Sequence, residues 1–241
     1  MWFYLFLITH TLYSIGLHGT RPVVSLFANA EGASAVEIGI LVSSFAFFPT
    51  LLALTVGKWL DRYGARRLVF IGGSGMLLAL FVPFLFPHLY SLFASQLIMG
   101  ISQISVLVSL QKTVGNLPGN RDKLIVWFSL TGSTGELIGP SLNGFIYDYY
   151  GFKFSFGISM LIIFVAIIIG VCLPKKAWKS GYSKSNHQAV SFLASVKMLQ
   201  HINLRKALIT SGLVLYSKDL FVSYFPIYAQ SVGLSPSVIG N

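Results

Sequence analysis

Apolar residues occur in seven long runs along the chain, and almost all charged residues fall between them. The runs cover residues 2–28, 37–57, 68–86, 89–111, 124–147, 154–173 and 207–229. A helix of about 20 residues crosses the roughly 30 Å hydrocarbon core of a bilayer, so each run is long enough to span one. Hydrocarbon offers no partner to a backbone amide, so a spanning segment has to bond within itself. The runs do not alternate apolar with polar residues, which argues for helices over strands. The pattern therefore predicts an all-α membrane protein with seven spans.

Charge adds a direction to this picture. Fourteen cations sit in alternate loops: Lys58, Arg62, Arg66 and Arg67; then Lys112, Arg121 and Lys123; then Lys175, Lys176, Lys179, Lys184, Lys197, Arg205 and Lys206. The opposite loops hold Lys153 alone, and Arg21 and Lys218 lie inside runs. Basic loops stay on the cytoplasmic side, so the N-terminus is expected inside the cell membrane and the C-terminus outside. The net charge of +10 is thereby a topology signal with anionic-lipid contact as a by-product, and no nucleic-acid partner is implied. Only 10% of residues are charged, against about 25% in soluble domains. The first run is too long for a signal-peptide core and carries His10, His18 and Arg21, so it reads as a permanent helix.

Enzyme chemistry finds no support. Cys172 is the single cysteine, which excludes a disulfide framework, and no His/Cys/acid spacing suits a metal. Paired loop carboxylates and a phosphate loop are missing as well. No cofactor is expected beyond a proton as coupling ion.

The ends of the chain repeat each other. Phe27–Gly39 (FANAEGASAVEIG) aligns with Tyr228–Gly240 (YAQSVGLSPSVIG) at a constant offset of 201, and both contain G-x-S-x-x-x-I-G. Each copy leaves a long helix, turns at glycine and re-enters behind a serine suited to cap the next helix, Ser34 or Ser235.

A dense charged turn, GKWLDRYGARR from Gly57 to Arg67, follows the second run. Its spacing of Gly57, Asp61-Arg62, Gly64 and Arg66-Arg67 resembles motif A of the major facilitator superfamily. That resemblance implies two parallel six-helix halves with a substrate site between them near the bilayer midplane. The expected architecture is a six-helix N-terminal bundle (1–173), a cytoplasmic linker (174–206), and a seventh helix opening an incomplete second bundle (207–241). Within the linker, Phe192, Leu193, Val196 and Leu199 recur at helical spacing, which suits an amphipathic surface helix. On this reading the chain is C-terminally truncated, and a missing second half is its expected partner alongside a small-molecule substrate and the lipid bilayer. In the family Gly57 and Asp61 face the second half and help close the cytoplasmic gate, while Arg62, Arg66 and Arg67 either anchor that loop or only set topology.

A second resemblance lies in GSTGELIGPSLNG, Gly132–Gly144, which is similar to the fifth-helix motif C of facilitator antiporters through Gly135, Gly139, Pro140 and Gly144. The match is partial, because Asn143 replaces the first member of the motif's closing glycine pair. Gly135 and Gly139 form a small-x-x-x-small ridge, and Pro140 removes a backbone donor. Glu136 lies deep in this run, where a carboxylate is costly and functional by default. It is the leading candidate for proton coupling, with Asp219 as a second acid, unless it merely joins helices.

Other candidates line up at helical spacing. His10, Ser14, His18 and Arg21 share one face of the first helix. Lys218 and Asp219 occupy the corresponding part of the seventh, about 100° apart around it. First helices of each half line the cavity in the family, so these residues are expected either to touch substrate or to bond neighbouring helices. Gln96, Gly100 and Gln103 share a face of the fourth helix, with Gln96 where drug exporters carry the motif B arginine. Asn143 completes the cavity candidates. The reading is a proton-coupled exporter working by alternating access. Uptake or uniport is the alternative within the class, and a non-transporting assembly partner or sensor the alternative outside it.

Overall fold

The computed structural model describes residues 2–179 and 202–232. These form α1 (Trp2–Ala30), α2 (Ala35–Tyr63), α3 (Ala65–Leu85), α4 (Leu89–Gly115), α5 (Arg121–Cys172), the short α6 (Lys175–Lys179) and α7 (Ile202–Ser231). No strand occurs among the described residues. The amphipathic segment at Phe192–Leu199 and the second repeat copy from Gly233 onward lie outside them.

By length and composition, α2, α3, α4 and α5 are apolar enough to cross a membrane. The 29-residue α1 and 30-residue α7 have the length, but polar residues interrupt their runs. In α1 the interruption follows from position, since this helix is the most enclosed and buries His10, Ser14, Thr20 and Ser25 along with its apolar side chains. Several hydroxyls, in α1 and in α4, are satisfied locally by bonding back one turn. Thr9 donates to the Leu5 carbonyl at 2.7 Å, Thr113 to Ser109 at 2.7 Å and Ser105 to Ile101 at 2.8 Å, which removes most of the cost of a polar group away from water.

Helix boundaries follow the punctuation in the sequence. Ser34 caps α2 through a reciprocal box with Glu37: the Ser34 amide donates to the Glu37 carboxylate at 2.8 Å, and the Glu37 amide donates to Ser34 Oγ at 3.3 Å. Gly64 has φ +84°, a conformation open to glycine at little cost. That single residue reverses the chain between α2 and α3. Gly151, with φ 81° and ψ −177°, does the same inside α5. A straight helix would separate Asn143 from Ser155 by about 18 Å, yet Ser155 Oγ donates to Asn143 Oδ1 at 2.7 Å. α5 is therefore a hairpin of two spans, residues 121–150 and 152–172, matching the two separate runs in the sequence.

The core seam runs between α1 and both arms of α5. A Cβ on Gly135 would lie 2.5 Å from Ser14 Cβ, and one on Gly139 would lie 2.7 Å from the Ile15 carbonyl oxygen and 2.8 Å from the Gly19 amide. Across the other side of α1, a Cβ on Gly16 would meet Ile163 of the second arm at 2.6 Å. Lipid tails are as apolar as leucine, so helices gain by close packing through small residues. α3 and α4 pack together, with Gly72 against the Ser102 carbonyl, and α2 lies against α4. α7 reaches the bundle mainly along its second half, where Ala229 is buried and Tyr224 Oη donates to the Ala35 carbonyl at 3.1 Å.

Substituting Gly139 by valine forces these backbones apart, and the expected loss is about 1–3 kcal/mol. It is read as a lower thermal midpoint of the monodisperse protein in detergent. Gly57→Ala is the contrast, because a Cβ there meets nothing within 4 Å, and its midpoint should not fall.

Candidate functional site

The polar stripe of α1 faces the first arm of α5. The His10 ring stacks on Phe128 with centroids 3.7 Å apart and planes 12° from parallel, and its Nδ1 lies 3.2 Å from Thr131 Oγ1. One turn on, Ser14 Oγ donates to the Gly132 carbonyl at 2.8 Å. The absence of a side chain at Gly132 leaves room for the His10 ring, whose Cε1 would be 2.9 Å from any Cβ there. The same glycines that permit the close seam thus also admit polar groups into it.

Beyond Ser14 the seam reaches a layer of charges. His18 Nδ1 lies 3.5 Å from Glu136 Oε1, and Lys218 of α7 donates to that same oxygen. Arg21 Nη1 pairs with Asp219 Oδ1 at 2.9 Å, and its guanidinium sits 4.4 Å over the Phe45 ring of α2. Arg21 is thus held by a carboxylate and an aromatic face. Lys218 and Asp219 reach different partners, as their angular separation requires. Both pairs bind α7 to the bundle, and both remain part-exposed, with Asp219 51% accessible. Ion pairs in such a setting form and break without the full penalty of a dry interior.

A cavity of about 300 Å³ opens beside this layer. His10, Ser14 and His18 of α1, Gln103 of α4 and Glu136 of α5 line it, together with Tyr13, Leu17, Met76, Val106, Leu107, Gln111, Phe128, Ser129, Gly132 and Ser133. Two glutamines, three serines, two histidines and one acid around an aromatic and aliphatic wall suit an amphipathic organic molecule. Gln111 and Ser133 were not singled out from the sequence. The repetition Gln103, Leu107, Gln111 at intervals of four was the available signal for the first.

Four expected cavity residues are absent from its wall: Arg21 and Lys218, which stand in the charge layer, and Asn143 and Gln96, which lie elsewhere. Asn143 is fully buried, with its amide oxygen accepting from Ser155 at 2.7 Å and Ser159 at 3.1 Å. It joins the arms of α5 where Gly19 of α1 crosses them. Gln96 is buried and absent from the cavity wall. Near it, Gly100 packs against the α2 backbone at Phe45 and against Pro49.

The charged turn after α2 makes its described contacts within the bundle. Asp61 pairs with Lys112 in the last turn of α4 at 2.5 Å, and α3 begins at Gly64 without a side-chain cap. Arg66 Nη2 donates to the Val171 carbonyl at 2.8 Å near the end of α5, and Arg62 lies over its neighbour Tyr63 at 5.4 Å. Gly57 makes no close approach among the described residues. The turn thus ties together the basic ends of α2, α4 and α5.

Reversing Arg21 to aspartate, or Asp219 to arginine, places like charges at the α1–α7 contact and should lower the thermal midpoint. Exchanging both should restore it, with a coupling of about 1 kcal/mol in a double-mutant cycle.

Comparison with known proteins places this geometry. The sequence profile described as Major Facilitator Superfamily matches residues 6–240. Multidrug resistance protein 2 of Bacillus subtilis is 23% identical over 231 residues, covering 93% of this chain and 58% of that protein. The uncharacterized MFS-type transporter MJ1560 of Methanocaldococcus jannaschii is 25% identical over 236 residues, covering 94% and 59%. Quinolone resistance protein NorA of Staphylococcus aureus is 25% identical over 187 residues, covering 75% and 47%. Among solved structures, a peptide transporter POT in complex with sulfate superposes with a TM-score of 0.65 at 18% identity, over 92% of this chain and 46% of that one, which speaks to fold alone. The chain thus spans a little under three fifths of the relatives matched over most of its length. With the profile matched from Phe6 to Gly240, over a chain that carries the charged turn and the glycine seam, the chain belongs to the major facilitator superfamily.

Proposed function

We propose that the protein acts in the export of an amphipathic small molecule, coupled to protons through Glu136 and working by alternating access. The observation that carries this reading is the sharing of one carboxylate oxygen of Glu136 between His18 and Lys218 at the wall of the cavity. A carboxylate in that position has two ways to be neutral. It pairs with Lys218, which holds α7 against the bundle, or it takes a proton, which frees the lysine and weakens the hold. Proton uptake is thereby linked to the position of α7, and the position of α7 to access from one side. The drug-resistance names of the relatives from Bacillus subtilis and Staphylococcus aureus support the direction of transport and a substrate of that kind.

The structure's own asymmetry suits this cycle. Residues 204–214 of α7 whose side chains are described are exposed, whereas its contacts with α1, α2 and α5 begin at Lys218. The cavity residues His10, Gln111 and Phe128 lie toward the basic end, so the charge layer closes the opposite end. We read the basic end as cytoplasmic and this arrangement as inward-facing.

A second reading, uniport, draws on Gln96 standing where exporters of this kind carry an arginine. Everted vesicles containing the protein distinguish the two with a fluoroquinolone as probe. Accumulation should follow an imposed proton gradient and collapse with it, and Glu136→Gln should abolish gradient-driven accumulation while sparing substrate exchange at equal concentrations. Accumulation indifferent to the gradient would favour uniport. Orientation is checked separately with Cys172, which is free and exposed at the basic end of α5. A membrane-impermeant maleimide should label it in everted vesicles and leave it unlabelled in intact cells.

A further inference from the structure

A second cavity, of about 370 Å³, lies on the far side of α1 from the charge layer, between α3, the second arm of α5 and α6. Its wall is apolar, with Val69, Ile71, Ile167 and Gly170, while its basic end carries Arg66 and Arg67. Ile71 is 63% exposed and Val171 43%, so the cavity opens sideways onto the surface that faces lipid. Its interior holds two unused donors. Tyr13 is 3% exposed and Trp178 6%, yet neither Tyr13 Oη nor Trp178 Nε1 has a hydrogen-bond partner among the described residues. Both side chains line the cavity. Tyr13 Oη lies against Gly73 and close to Ile167, at the inner wall. Buried Tyr and Trp ordinarily find a partner for their polar tips.

We propose that this cavity seats an anionic phospholipid of the surrounding bilayer. The phosphate lies on Arg66 and Arg67, the acyl chain fills the groove between α3 and the second arm of α5, and ester oxygens of the lipid are available to the buried donors. Charge complementarity selects the occupant. The two guanidiniums meet the cavity at the level of a headgroup, Lys175 and Lys176 are exposed on the same short helix as the cavity-lining Trp178, and no carboxylate is among the described residues that line the cavity. A zwitterionic lipid presents the same chain without the net charge. Arg66 already holds the Val171 carbonyl, so a bound headgroup would tie α3 to the end of α5 at the same point. This site is separate from the transport cavity, and the two share only Tyr13.

The test uses the full chain with Trp2, Trp59 and Trp127 replaced by phenylalanine, leaving Trp178 as the only indole, in phosphatidylcholine vesicles doped with lipid brominated on the acyl chain. Brominated phosphatidylglycerol should quench Trp178 at a lower mole fraction than brominated phosphatidylcholine, by about fivefold for each arginine engaged. Arg66→Gln with Arg67→Gln should erase the difference, and Arg66→Lys with Arg67→Lys should keep most of it. Gly170→Leu, which leaves both arginines and fills the groove, should abolish quenching by either lipid and covers the case in which the glutamine variant does not fold. Equal quenching by both lipids would overturn the proposal, as would a preference that survives both Arg66→Gln/Arg67→Gln and Gly170→Leu. Loss of the preference in excess inorganic phosphate would also overturn it, by showing a site for the free anion instead of a lipid.

Discussion

The polar seam of this bundle depends on how closely α1 approaches α5. Where Gly135 and Gly139 meet Ser14, Ile15 and Gly19, the two backbones come near enough that ordinary side chains would not fit. That proximity places His18 within reach of Glu136 and lets Ser14 bond a backbone carbonyl of the opposite helix. Moving these helices apart by the width of a methyl group would part His10 from Thr131 and His18 from Glu136 in a medium that supplies no replacement. Packing and chemistry are the same constraint here, because the glycines that make the seam also make the site.

The charge layer differs from the rest of the core in what it holds together. Thr9, Ser105 and Thr113 bond within their own helices and would do so in any arrangement of the bundle. Arg21–Asp219 and Lys218–Glu136 exist only while α7 lies against α1 and α5. The first kind of bond makes a helix tolerable in lipid, and the second makes a particular arrangement of helices preferable to another. The present chain separates the two kinds by position.

How much of this was legible beforehand varies with the range of the interaction. The spans, the Ser34 cap and the family emerged from local pattern, since run length, glycine and charge spacing act over a few residues. The polar face of α1 was equally legible from intervals of three and four. Asn143 shows where such reasoning stops. It shares a face with Glu136, but it lies seven residues further along, about 10 Å deeper, where the second arm of α5 closes over it. Periodicity reports angle and not what stands opposite at each depth. Lys112 is a similar case, since its bond to Asp61 spans 51 positions and no local rule pairs the ends of α2 and α4. Gln96 occupies the expected face of α4 but is buried off the cavity wall, one turn before the point where Gly100 meets α2.

One residue governs how these parts move together. The two arms of α5 are joined through Gly151 alone, and Asn143 bolts them to each other one turn or two below the bend. The glycine permits the bend, and the bonds of Ser155 and Ser159 to Asn143 tie the arms to each other. Any shift of the first arm that follows a change at Glu136 is therefore carried into the second arm, and along it to Val171, where Arg66 is attached. The hairpin acts as a tuning fork whose tines reach the polar cavity beside Glu136 on one side and the apolar groove beside α3 on the other.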